Sequence, residues 1–163
     1  MKYEKFAFYG YIILFIIHLY YLYKNLNQNN FIIFGSLLIT VGFFFAAYEM
    51  YNNLLNKPRS IISKSHLIVG SFRLLSFILP INSHVKSTDI FGLIGNFILI
   101  NSNFGYQEIA NTCLTIFFSL NTYRNISKNQ ILDNIRGIGS GLVLLYYIKR
   151  TIDNWYDKKE KLL

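Results

Sequence analysis

One cysteine, two prolines and one tryptophan occur in 163 residues, and only 15% of the chain is charged. The lone Cys113 excludes a disulfide within the chain and a cysteine-built zinc site. Pro58 and Pro80 stand between apolar runs or at the end of one, so the runs themselves contain no helix breaker. Acidic residues number 8 against 16 lysines and arginines. A cation buried by this chain therefore has few carboxylates to meet. Soluble domains carry nearer a quarter charged residues. Here the charges cluster between apolar stretches instead of covering a surface. Sequence signatures of catalysis are also missing: there is no G-x-S-x-G, H-E-x-x-H, cysteine pair or phosphate-binding loop. The chain is therefore expected not to be an enzyme and to need no metal or other cofactor.

What the chain does have is apolar and aromatic bulk, at 53% hydrophobic and 18% aromatic residues. Phe, Tyr, Ile, Asn and Lys make up about half of it, the amino acids of AT-rich codons, which points to an AT-rich genome. Six apolar runs cover residues 6–23, 31–50, 66–80, 90–106, 109–123 and 137–148. A membrane-spanning helix needs about 20 apolar residues. The first two runs meet this alone, and the other four do so only with their polar flanks. The expected fold is an all-α, polytopic transmembrane helix bundle of about six helices. Four or five helices plus re-entrant pieces is the alternative. Residues 1–163 form one membrane domain, in which 1–81 and 88–150 show a weak echo of each other. "FFFAAYEMYNNLL" with "HLIVGSFRLLSFI" resembles "TIFFSLNTYRNIS" with "RGIGSGLVLLYYI", the layout of an inverted repeat.

The net charge of +8 is one mark of nucleic-acid binding. The basic residues lie beside apolar runs and form no continuous patch, so contact with anionic lipid is the expected use. With the N-terminus inside, Lys2, Lys5, Lys57, Arg59, Lys64, Lys149, Arg150, Lys158, Lys159 and Lys161 fall inside. Lys24, Lys86, Arg124, Lys128 and Arg136 fall outside. That bias favours both termini on the cytoplasmic or matrix-equivalent side. The membrane could be organellar, viral or cellular. The sequon "NIS" at 125–127 offers a topology reporter.

Small and polar residues recur at helical spacing: Gly35, Gly42, Ala46, Glu49 and Asn53; Gly92, Gly95 and Asn96; Thr112, Thr115, Ser119 and Thr122; Gly137, Ser140 and Gly141. In lipid such stripes bring helices together. "TVGFFF" at 40–45 begins like a potassium filter but lacks its second glycine. His18 and His84 are expected to be lipid-interface or packed residues rather than haem or metal ligands.

Arg73 sits in the middle of the third run, on a helical face with His66, Gly70 and Ser76. Leu67, Leu74 and Ile78 take the opposite face, so Arg73 is expected to point into protein. Left unpaired in hydrocarbon it would cost at least about 2.5–3.5 kcal/mol. Glu49 is the expected partner and Asn96 the neutral alternative. Arg73, Glu49, His66 and Asn96 thus form the candidate intramembrane polar site. If Arg73 and Glu49 pair, Arg73→Met with Glu49→Leu should be tolerated better than either change alone.

Two functions fit. One is a non-catalytic structural or accessory subunit of a larger membrane assembly, with lipid and other membrane subunits or further copies of itself as partners. The alternative is a small transporter or channel built on the Arg73 site. Nucleic acid is not an expected partner, and no small-molecule substrate is identifiable.

Overall fold

The computed structural model describes residues 3–82, 86–101, 103, 105–127 and 129–160. His84 and the charges Lys2, Lys128 and Lys161, all weighed above, lie outside the described residues. Among the described residues there are six α-helices and no strand: α1 (Tyr3–Asn25), α2 (Asn30–Leu54), α3 (Lys64–Ile78), α4 (Asp89–Leu99), α5 (Gln107–Thr122) and α6 (Gln130–Glu160). The chain is all-α, with one helix for each apolar run. Among the described helices, α1 and α2 are the two long and apolar enough to cross a membrane.

Helix starts are set by local chemistry. The Asn29 side chain accepts from the Ile32 N–H at 2.9 Å and caps α2. Ser63 does the same for α3 through the His66 N–H at 3.3 Å. The fourth run leaves the helix at Leu99, earlier than its hydropathy suggests. The following segment pairs with the chain entering α3, where the Ser63 N–H donates to the Ile100 carbonyl at 2.8 Å. Conversely, α6 outruns its apolar stretch in both directions. Its charged end is held by the Lys149–Asp153 pair one turn apart and by Lys158 reaching Glu108 at the start of α5. That contact holds the Glu108 carboxyl below its ordinary range, with its own backbone N–H helping.

Each helix packs on its neighbours in sequence, and α6 returns to α1, so the six close a ring. Short connections make consecutive helices antiparallel. One pole carries the α1–α2, α3–α4 and α5–α6 connections. The other carries the α2–α3 and α4–α5 connections together with Tyr3 and Glu160. Glycines permit the closest crossings. A Cβ on Gly10 would stand 2.6 Å from the Gly139 carbonyl oxygen, and one on Gly95 would stand 2.9 Å from that of Ala110. The threonine stripe of α5 lies on the α6 seam, with Thr115 bonded to Thr151 at 3.0 Å and the Trp155 indole donating to Thr112 at 3.1 Å.

The core in the middle of the ring is aromatic and aliphatic, including Tyr11, Leu14, Phe43, Leu114, Phe118, Val143 and Tyr147. The Tyr11 and Tyr147 hydroxyls bond to each other at 3.1 Å. Polar groups share this interior: Arg136, Ser140, Asn111, Asp133, Asn96 and Arg73 are all buried. The outside is the reverse, with exposed large apolar side chains on all six helices, among them Ile16, Phe44, Ile78, Ile94, Ile116 and Ile138.

Candidate functional site, an arginine-lined cavity

A cavity of about 370 Å³ occupies the ring toward the pole of the α1–α2, α3–α4 and α5–α6 connections. All six helices or their connections line it, and exposed Gln28 in the α1–α2 turn marks its mouth. Its charged lining is Arg73 from α3, Asp89 from α4, Arg124 just beyond α5, and Arg136 from α6. The apolar walls include Ile39, Phe43, Phe72 and Phe117, and His18 stands beside Phe43 with ring centroids 5.0 Å apart.

Each arginine is held differently. Arg124 donates to Asp89 at 2.7 Å, and the second Asp89 oxygen accepts the Lys86 N–H at 3.0 Å. Arg136 is 1% exposed. Its Nη1 donates to both the backbone and side-chain oxygens of Asn121 at 2.9 Å, and Asp133 lies one turn back at 3.8 Å. Asp133 also accepts the backbone N–H groups of Ile126 and Ser127, which fixes the connection carrying Arg124. Nε and Nη2 of Arg136 have no hydrogen-bond partner.

Arg73 is 6% exposed. Its guanidinium lies over the Phe117 ring, 3.7 Å from the centroid, an attraction worth about 2 kcal/mol when water is excluded. Gly92 forms the other side: a Cβ there would stand 2.6 Å from Arg73 Cζ and 2.9 Å from Phe117. This is the physical use of the glycine in the α4 stripe. The Arg73 Nε has no hydrogen-bond partner.

The four residues expected to form one site are spread along the ring axis. Glu49 does not serve as the hydrogen-bonding partner of Arg73. It accepts from the Ser63 hydroxyl at 2.8 Å, from the Ser65 hydroxyl at 2.5 Å, and from the Ser65 N–H at 3.1 Å, at the opposite pole. Ser65 precedes Arg73 by eight residues, about 12 Å of helix rise, so one carboxylate cannot serve both ends of α3. His66 and Asn96 lie between, joined Nδ1 to Oδ1 at 2.8 Å, while the Asn96 amide donates to the Gly92 carbonyl at 2.6 Å. A void of about 20 Å³ touches both of them and Arg73, roomy enough for about one water.

Because Glu49 and Arg73 share no hydrogen-bonding partner, their substitutions should act independently. Glu49→Leu leaves buried Ser65 groups unpaired, at about 1–3 kcal/mol. Its effect should add to that of Arg73→Met within about 0.5 kcal/mol. Thermal unfolding of the two single variants and the double checks this, and a double variant milder than either single one would restore the pairing.

Sequence reasoning missed Asp89, Arg124 and Arg136 as cavity residues, having counted both arginines as loop charges. One local signal was available: Asp133 and Arg136 sit three apart, one turn of helix. The cavity mouth lies at the loops assigned outside, and the sequon residues Asn125–Ser127 lie beside it.

The class defined so far is a closed six-helix ring with a cationic, aromatic-walled cavity open toward one pole. No protein-family model, curated protein or solved structure matches the chain.

Proposed function

We propose that the chain is a multi-pass integral membrane protein that binds a small anion in the arginine-lined cavity and carries it across the bilayer. The observation that carries the anion reading is the set of three guanidiniums on one cavity, each with at least one buried N–H group that has no hydrogen-bond partner. Charged groups inside a membrane bundle are retained at a cost and mark solute paths. The membrane reading rests on the inverted distribution of polarity. Every helix turns leucine, isoleucine or phenylalanine outward, while Arg73, Arg136, Asp89, Asp133, Asn96, Asn111 and Ser140 are buried. Water would penalise such a surface, since contiguous apolar patches on soluble monomers are small.

Placing the cavity mouth outside keeps both ends of the chain inside. Arg124 and Arg136 are engaged with the cavity, so they no longer weigh as free outer-loop charges. Lys24, Lys86 and Lys128 remain outside, and the basic residues of the other pole outnumber them. The reading assigns the chain no catalytic step.

Reconstitution tests it. Liposomes containing the protein should show anion flux, measured as potential-driven anion uptake, and Arg73→Met should lower the rate at least about tenfold, the loss of one charged hydrogen-bonding group. Absence of flux, or equal flux with Arg73→Met, would overturn the carrier reading. The accessory-subunit reading draws on α3, α4 and α5, of 15, 11 and 16 residues. These are shorter than the about 20 residues that span a bilayer alone, and they fit a chain flanked by neighbours. A large particle of reproducible composition after gentle extraction would favour it.

A further inference from the structure

We infer that the ligand of the cavity is an organic monoanion, a carboxylate head on an apolar body. The head meets the Arg73 guanidinium, and the body lies on Phe43, Phe72 and Phe117. The inference rests on the reading of the cavity as an anion site and narrows its substrate class.

Charge sets the valence. Three guanidiniums line the cavity, and two carboxylates are committed to them: Asp89 to Arg124 at 2.7 Å and Asp133 to Arg136 at 3.8 Å. Among these five side chains one positive charge is left over. It belongs to Arg73, whose guanidinium meets an aromatic face and whose Nε lacks an acceptor. A monoanion balances that excess. A dianion would leave a net negative charge beside buried side chains, where unbalanced charge is costly.

Hydrogen bonding sets the head. Among the described residues Arg136 is paired with Asp133 and Arg124 with Asp89, while the Arg73 guanidinium has no carboxylate partner, and a charged donor is expensive to leave unmet. Guanidinium forks match the two oxygens of a carboxylate. Size and walls set the body. At about 370 Å³ the cavity falls in the range of about 300–1,000 Å³ of small organic ligands, far more than a halide fills. Phe43 and Phe117 are buried, and an apolar group placed on them leaves water behind.

The test is calorimetry with the full chain in lipid nanodiscs, after subtraction of empty nanodiscs. The probes are hexanoate, benzoate and acetate, with hexylamine, chloride and inorganic phosphate as counter-probes. Hexanoate and benzoate should bind and hexylamine should not. Chloride and phosphate should bind at least about tenfold more weakly than hexanoate. Arg73→Met should weaken hexanoate about 10- to 100-fold, and Arg73→Lys should recover part of the loss. Phe72→Ala should weaken hexanoate more than acetate, and it carries the test if Arg73→Met does not fold. Chloride or phosphate binding as tightly as hexanoate, in an Arg73-dependent way, would overturn the carboxylate class and leave the anion site standing. No binding of any anion to the wild-type chain, or binding unchanged by Arg73→Met, would overturn both.

Discussion

Gly10→Leu should prevent the ring from closing. The α1–α6 seam is where the first and last helices meet, and it has no room for a side chain. A Cβ on Gly10 would be 2.6 Å from the Gly139 carbonyl oxygen and 2.7 Å from Val143, and one on Gly139 would be 2.9 Å from Ile13. The carbonyl is backbone and cannot swing aside as a flexible side chain does. Gly10→Ala should therefore cost about 1–3 kcal/mol, as overpacking does. Gly10→Leu should exceed that and separate the helices. Thermal denaturation reads the first variant. Cross-linking between cysteines introduced in α1 and α6 reads the second, in a Cys113→Ala background free of other thiols. Gly105→Ala is the control, since nothing lies within 4 Å of a Cβ there. Unchanged melting and cross-linking for Gly10→Leu would mean that the seam is not the ring closure.

Arg136→Met should be the most damaging single change at the cavity. It leaves the 3%-exposed Asp133 side chain without its cation and the Asn121 side-chain oxygen without its donor. Removing one partner of a buried ion pair costs about 3–5 kcal/mol, because the other charge is stranded. Asp133→Asn is milder alone, since the amide oxygen can still accept the Ile126 and Ser127 N–H groups. The double variant should be more stable than the sum of the two losses, with a coupling of about 0.5–3 kcal/mol. A double-mutant cycle in unfolding free energy measures this. Strict additivity would show that the 3.8 Å pair carries no energy and that Asn121 alone holds the guanidinium.

Periodicity made most of the fold legible. The run at 66–80 became α3, and its wheel placed Leu67, Leu74 and Ile78 opposite Arg73, as their exposure has it. The small-residue stripe of α2 also faces inward, with Gly35, Gly42 and Ala46 buried. Helix ends were less legible where tertiary bonds decide them. α4 stops because the chain after Leu99 is pulled onto the start of α3. α6 continues because ion pairs carry its polar flank. The site was half legible. The placement of Arg73 follows from one helix face. The placement of Arg124 and Arg136 follows from carboxylates at the beginnings of α4 and α6, and hydropathy reads those positions as loop. Glu49 misled for the same reason: its distance from Arg73 along the axis is set by where α3 starts, and a list of scarce carboxylates does not contain it.

The ring is sealed by its last helix, and this gives assembly a fixed schedule. Arg73 is synthesised well before Phe117, whose ring it will cover, and before Arg136, across the cavity from which it will work. For the time that separates them on the ribosome, α3 carries a cation without the aromatic face it will pack against. A chain ending before α6 supplies Phe117 but lacks Arg136 and the seam on Gly10. The same feature that encloses the cavity therefore makes the arrival of α6 a condition of the cavity's existence.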